Sequence, residues 1–146
     1  MNYPLQIELI PRTSFFKNVR SEVSQREWDT LRKKVYKRNN HKCEICNGKG
    51  YRHPVECHEK WHYNFETNVQ KLIGLEALCP NCHKVKHIGL ALSQGRGDRS
   101  IKHLMKVNGI SENDAIAYIE QVFQDWEYKS QFNWILDLSY LNEFIQ

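Results

Sequence analysis

Apolar positions recur at a helical period in two stretches of the chain. In SQREWDTLRKKVYKRNN (24–40), Trp28, Leu31 and Val35 fall on one face, and Arg32, Lys33, Lys37 and Arg38 project elsewhere. Ser24 with Glu27 three positions later marks the start as a capping box. In SENDAIAYIEQVFQDWEYKSQ (111–131), the stripe is Ala115, Ile116, Ile119, Val122, Phe123 and Trp126, with Ser111 and Asp114 at its start. Between these helices the pattern changes. YRHPVECHE (51–59) and VQKLIGLEALC (69–79) read as strands joined by a polar connection, KWHYNFET (60–67). CPNCHKVKHIGLAL (79–92) opens on a cysteine turn and continues as a helix to about Leu92, and a short helix follows around Arg99 to Val107. FNWILDLSYLNEF (132–144) suits a last strand or a packing arm. Residues 1–20 suit an extended arm broken by Pro4 and Pro11.

No repeat, low-complexity tract or linker interrupts the chain, so the expectation is one α+β domain over residues 1–146. Its parts are an arm and basic helix (1–42), a central unit (43–92) and a helical extension (93–146). No apolar run approaches the roughly 20 residues that span a bilayer, and the beginning lacks a signal-peptide pattern. A cytoplasmic protein without a membrane partner is expected. The net charge of +4 and pI of about 8.8 admit a nucleic-acid partner without requiring one. The positive residues gather in LRKKVYKR (31–38) and GRGDRSIKHLMK (95–106). Monomer and homodimer both remain open.

The chemistry lies in the cysteines and histidines. Four of the five cysteines form two Cys-x-x-Cys pairs, Cys43/Cys46 and Cys79/Cys82. Two residues between cysteines let one tight turn aim both sulfurs at one ion, and four thiolates suit a structural zinc. Gly48 and Gly50 fit the tight backbone of the first turn. Cys57 stands outside both pairs, as a buried strand residue. His83 and His87 sit four apart after the second pair, on one face of a helix. His58 is on the preceding strand, where the zinc knot would hold it over that face. The blander alternatives are solvent-facing histidines, or His83 supporting the zinc from outside its ligand shell.

CEIC, VECHEKW and above all ALCPNCHKVKH resemble the zinc-ribbon type of HNH endonuclease found among small bacterial and phage proteins. The resemblance implies a ββα-metal core on a four-cysteine zinc ribbon, with helices on either side. It implies a DNA phosphodiesterase that nicks or cuts both strands, leaving 5′-phosphate and 3′-hydroxyl ends. Position by position, His58, His83 and His87 match the ligands of a catalytic Mg or Mn, with Ni or Zn also compatible with imidazoles. Glu59 stands where the family has its general base, usually His. Gly74 stands where the family has its middle Asn. A second register would put Cys57 at the metal position and make His58 the base; His62 is a further base candidate. Arg96, Arg99 and Lys102 are candidate phosphate contacts. The competing function is a non-catalytic HNH-like zinc module that binds DNA or inhibits a protein partner.

Overall fold

A two-stranded antiparallel hairpin, β1 (Glu56–Asn64) and β2 (Val69–Leu78), carries the rest of the chain. The structure, a computed structural model, describes residues 2–144. A short parallel strand, β3 (Ile135–Asp137), pairs with Val69–Lys71 of β2 and completes a sheet of order β1-β2-β3. Around it lie α1 (Val19–Glu22), α2 (Gln25–Arg38), α3 (Pro80–Lys86), α4 (Ile88–Ser93), α5 (Gly97–Asn108) and α6 (Glu112–Lys129). The architecture is α+β, and no helix of the described residues is long and apolar enough to cross a membrane.

β1 runs further than its polar letters suggest. The expected connection over residues 60–67 is strand as far as Asn64, and the turn is confined to Phe65–Asn68. Trp61 packs inward beside Val55 and Cys57, and Tyr63 meets the Trp134 ring edge-on at 5.0 Å. The Asn64 carboxamide oxygen accepts from the Glu66 and Thr67 amides, and Asn68 takes a left-handed φ of 58°, which Asn tolerates.

The two faces of the hairpin have different roles. One packs on α2 through Val55, Leu72, Leu75 and Ala77, which join Trp28, Leu31 and Val35 in one cluster. The spacing from Leu72 to Leu75 breaks the strand period of two. Trp61 pairs with Leu72 and Lys60 with Gly74, so Ile73 is an extra, half-exposed bulge residue. Without that insertion, Leu75 and Ala77 would turn to the opposite face. The opposite face presents Glu56, His58 and Glu76 toward α3, and Leu78 joins a second cluster with Val85, Ile88, Leu104 and Ala115.

The arm at the start of the chain belongs to that second cluster. Leu5 and Ile7 are buried there with Leu9 alongside. The Leu5 backbone exchanges two hydrogen bonds with the Asn108 side chain, and the Glu8 amide donates to the Lys86 carbonyl. The arm then forms a 3-10 turn at Arg12–Ser14 and the single turn α1, neither of which its sequence pattern announces. The capping box at Ser24/Glu27 and the Ser111 cap at Asp114 form as expected. Ile116, expected in the α6 stripe, is 40% exposed; the α6 residues buried in the second cluster are Ala115 and Ile119, with Tyr118, Val122 and Phe123 packed against it. The expected single helix over 79–92 is two: His87 leaves helical geometry (φ −112°, ψ 43°), its amide closes α3, and α4 starts after it. The C-terminal stretch is both things anticipated, a strand and then a packing arm with Leu141 buried against α2's cluster.

Leu31 is 1% exposed at the contact between α2 and the sheet. Leu31→Ala is expected to lower unfolding stability by about 2–5 kcal/mol, measured by denaturant titration. A loss below about 1 kcal/mol would mean that α2 does not pack as described.

Candidate metal centres

Cys43, Cys46, Cys79 and Cys82 bring their sulfurs within 4.8 Å of one another, and Cys46 lies 3.7 Å from Cys79. A tetrahedron with zinc–sulfur bonds near 2.3 Å puts its sulfurs about 3.8 Å apart, so this donor set fits structural zinc. The first turn is built for it. The Asn47 amide donates to the Cys43 carbonyl, Asn47 is left-handed (φ 62°), and the Gly48 amide points at the Cys46 sulfur (3.4 Å). Gly50 is a steric requirement, since a Cβ there would strike the His53 carbonyl oxygen and the Pro80 ring. Cys79 follows β2 and caps α3, its sulfur accepting from the Cys82 amide at 3.4 Å, with Pro80 in the first turn. Glu44 ties the two turns together. Its amide donates to the Ala77 carbonyl, and its carboxylate accepts from the Ala77 amide and Arg38.

Three of the thiols, Cys43, Cys79 and Cys82, also share charge. Hydrogen bonds from Cys79 and Cys82 push the Cys43 thiol down, and the same bonds to Cys43 push Cys79 up to about 11 and Cys82 further up. One thiolate thus discourages the others, and a divalent cation would remove that conflict. His103 on α5 lies 3.1 Å from the Cys82 sulfur through Nε2. It takes the outer position that the sequence offered to His83.

A second cluster joins His58 of β1, His83 of α3 and His87 at the α3–α4 junction. Their candidate ligand nitrogens lie within 4.8 Å of one another, and the ring centroids are 5.0 to 5.4 Å apart. The helix break at His87 therefore does not separate the pair. Two carboxylates orient the rings. Glu8 of the arm meets His58 Nε2 at 2.6 Å, and Glu56 meets His83 Nδ1 at 3.1 Å. A carboxylate only accepts, so these nitrogens carry the protons, leaving His58 Nδ1 and His83 Nε2 as free lone pairs. Burial lowers the pKa of His58, against the pull of Glu8, and takes His87 down to about 3, helped by His58 and His83. Both are neutral at pH 7, as metal ligation requires. Three imidazoles with outward-facing carboxylates suit a divalent transition ion.

Glu8 also accepts from Lys86, a residue 3% exposed whose ammonium reaches Glu76 at 3.9 Å. Glu8, His58 and Glu76 form a third cluster of potential donors, but Lys86 already supplies its positive charge.

Neighbours on a strand point to opposite faces. Glu59 therefore turns from His58 toward α1, where its carboxylate accepts from the Val19 amide at 2.7 Å. Burial raises it to about 7, against the opposing pull of that amide, Arg20 and His83. Both residues line one cavity of about 720 Å³ at the edge of β1, together with His83 and His87. Cys57 also borders it but packs in the α2 cluster, its thiol pushed up to about 12 by burial, and stands apart from the histidine trio. His62 is exposed and does not line the cavity. Gly74 pairs with Lys60 and contributes nothing to the site.

Arg96, Arg99 and Lys102 are exposed at the start of α5 and do not line the cavity; the cations that do are Lys17 and Arg20. Of the basic face of α2, Arg32 pairs with Asp29 and Arg38 with Glu44. Sequence reasoning missed Glu8, Glu56 as a histidine partner, Lys17, Arg20 and His103. Only Glu8 left a trace, as the charged letter in the apolar run IELI.

Two outcomes are expected. One zinc per chain by elemental analysis, lost in Cys82→Ser together with the cooperative thermal transition, would support the four-sulfur centre; a zinc-free, fully stable Cys82→Ser would refute it. The Glu8 carboxyl is the second case. Burial would raise it, but hydrogen bonds from His58 and Lys86 and the positive charge of Lys86 bring it to about 2 from 4.5. A lowered folded pKa stabilises the native state fully above 4.5 and loses that effect as pH falls toward 2. Glu8→Gln should therefore cost about 3 kcal/mol at pH 7 and less at pH 3.5 by urea unfolding. An equal loss at both pH values would contradict the ionised pairing.

No family model matches the chain, and neither the curated proteins nor the solved structures compared with it gave a match.

Proposed function

We propose that the protein is a metal-dependent DNA endonuclease of the HNH type, with a structural zinc and a separate catalytic divalent ion. The observation that carries this reading is the convergence of His58, His83 and His87 in a cavity that Glu59 also lines. A hairpin strand and the helix after it supply the three histidines, the order of a ββα-metal core. The sequence resemblance through ALCPNCHKVKH supports the same reading.

In this reading His58, His83 and His87 would hold a divalent ion, Mg or Mn, with Ni or Zn as alternatives, which when bound would supply positive charge to the reacting phosphate. The chain's own residues do the rest. Glu8 and Glu56 hold His58 and His83 with their lone pairs turned to the centre. Glu59 removes a proton from the attacking water, whose oxygen bonds to phosphorus as the bond to the 3′ oxygen breaks; the 3′ oxygen leaves with the bond pair and takes a proton from solvent, and Glu59 gives its own proton back to solvent. The Val19 amide holds one Glu59 oxygen and leaves the other for that water. This register makes Glu59 the base and His58 the ligand.

The test is conversion of supercoiled plasmid to nicked or linear forms, in EDTA and with added Mg or Mn. Metal-dependent conversion is expected, reduced at least about a hundredfold in His83→Ala and in Glu59→Ala. Loss in His83→Ala alone would move the base elsewhere. No conversion with any metal, from folded zinc-loaded protein, would favour the non-catalytic module.

A further inference from the structure

The cavity around the three histidines is not a flat basic surface. Phe15 and Phe16 stand on its rim, 60% and 85% exposed, with rings edge to face at 5.2 Å. Trp61 and Trp126 line its wall, and the Trp126 indole is fixed by a hydrogen bond to the Ile10 carbonyl at 2.8 Å. Lys17 and Arg20 border the same opening, both exposed, and neither forms an ion pair among the described residues. Among the described residues, Glu59 is the one carboxylate in the lining. A folded chain ordinarily covers adjacent phenylalanines, and here they flank two cations at the mouth of a candidate phosphodiester site, Lys17 and an Arg20 whose guanidinium lies 5.6 Å over the Trp28 ring.

We propose that this cavity takes unpaired nucleotides, so that the substrate is a single strand, or a strand locally freed from its duplex, rather than an intact helix. The inference rests on the nuclease reading of the histidine site. In a duplex the base faces are stacked on one another and only their edges reach the grooves, so a helix laid over the opening would meet the aromatic rim with sugars and phosphates. An unpaired strand offers both things the cavity asks for: base faces to stack on Phe15 and Phe16, and phosphates for Lys17 and Arg20. A cavity of about 720 Å³ suits a small enclosed group. A base drawn in past Phe16 would carry its phosphate toward the histidines.

The test separates binding from cleavage. A short labelled single strand and its blunt duplex are titrated by fluorescence anisotropy at one fixed salt concentration, without added divalent ion. The single strand should bind at least about tenfold more tightly. The double variant Phe15→Ala/Phe16→Ala should lose about tenfold or more for the single strand alone, and Phe16→Trp should retain it. Both side chains are exposed, so an unchanged circular dichroism spectrum is expected and is checked. Equal affinity for duplex, or full affinity in the double variant, overturns the proposal. Metal-dependent cutting of duplex as fast as of single strand also overturns it while leaving the nuclease reading intact. Single-strand binding that needs the two phenylalanines, with no cutting under any metal, supports the pocket and sinks the nuclease reading instead.

Discussion

Everything at the histidine site depends on the corner where β2 ends and α3 begins. Cys79 is the last residue before the helix and also its N-cap, Cys82 is one turn later, and both face Cys43 and Cys46. Four sulfurs sharing one ion would fix that corner to within the length of a zinc–sulfur bond. A helix of seven residues has little stability of its own. It holds His83 over β1 because its first turn is tied to the sulfur centre and its apolar side sits in the core at Val85. Glu44 extends the constraint into the sheet by bonding both backbone groups of Ala77.

The second constraint comes from the arm at the start of the chain. Leu5 and Ile7 are buried on α5 and α6, so the alternating residue Glu8 points the other way, at His58 and Lys86. A carboxylate that accepts from both a neutral imidazole and a buried ammonium is stabilised as the anion. It also selects the His58 tautomer with the proton on Nε2, which leaves Nδ1 with a free lone pair. The arm therefore contributes to the site twice: Glu8 orients His58, and the segment from Phe15 to Arg20 builds the opening.

That the two cysteine pairs cluster, and that His83 and His87 lie together, was legible because donors three apart across a tight turn and four apart on a helix face one point; His58 was placed beside them only through the expected hairpin. The amphipathic helices α2 and α6 were legible from their periods and caps. What escaped was tertiary. Glu8 and His58 are 50 residues apart, and no local pattern joins them. The polar stretch after Glu59 concealed a strand because Trp61 and Tyr63 alternate with residues on an open edge. The bulge at Ile73 left no mark in LIGL, although it sets which face Leu75 and Ala77 occupy. The α3–α4 break at His87 was likewise hidden, since HKVKHIGLAL reads as continuous helix.

The central claim is that the three imidazoles form a second metal centre, separate from the four sulfurs. Its most direct test is a crystal structure of manganese-soaked, zinc-loaded protein, with anomalous maps at both metal edges. A zinc peak among Cys43, Cys46, Cys79 and Cys82, and a distinct manganese peak bonded to His58 Nδ1 and His83 Nε2 with His87 beside it, is the expected result. A single zinc peak, with the three rings keeping their positions around no ion, would contradict it.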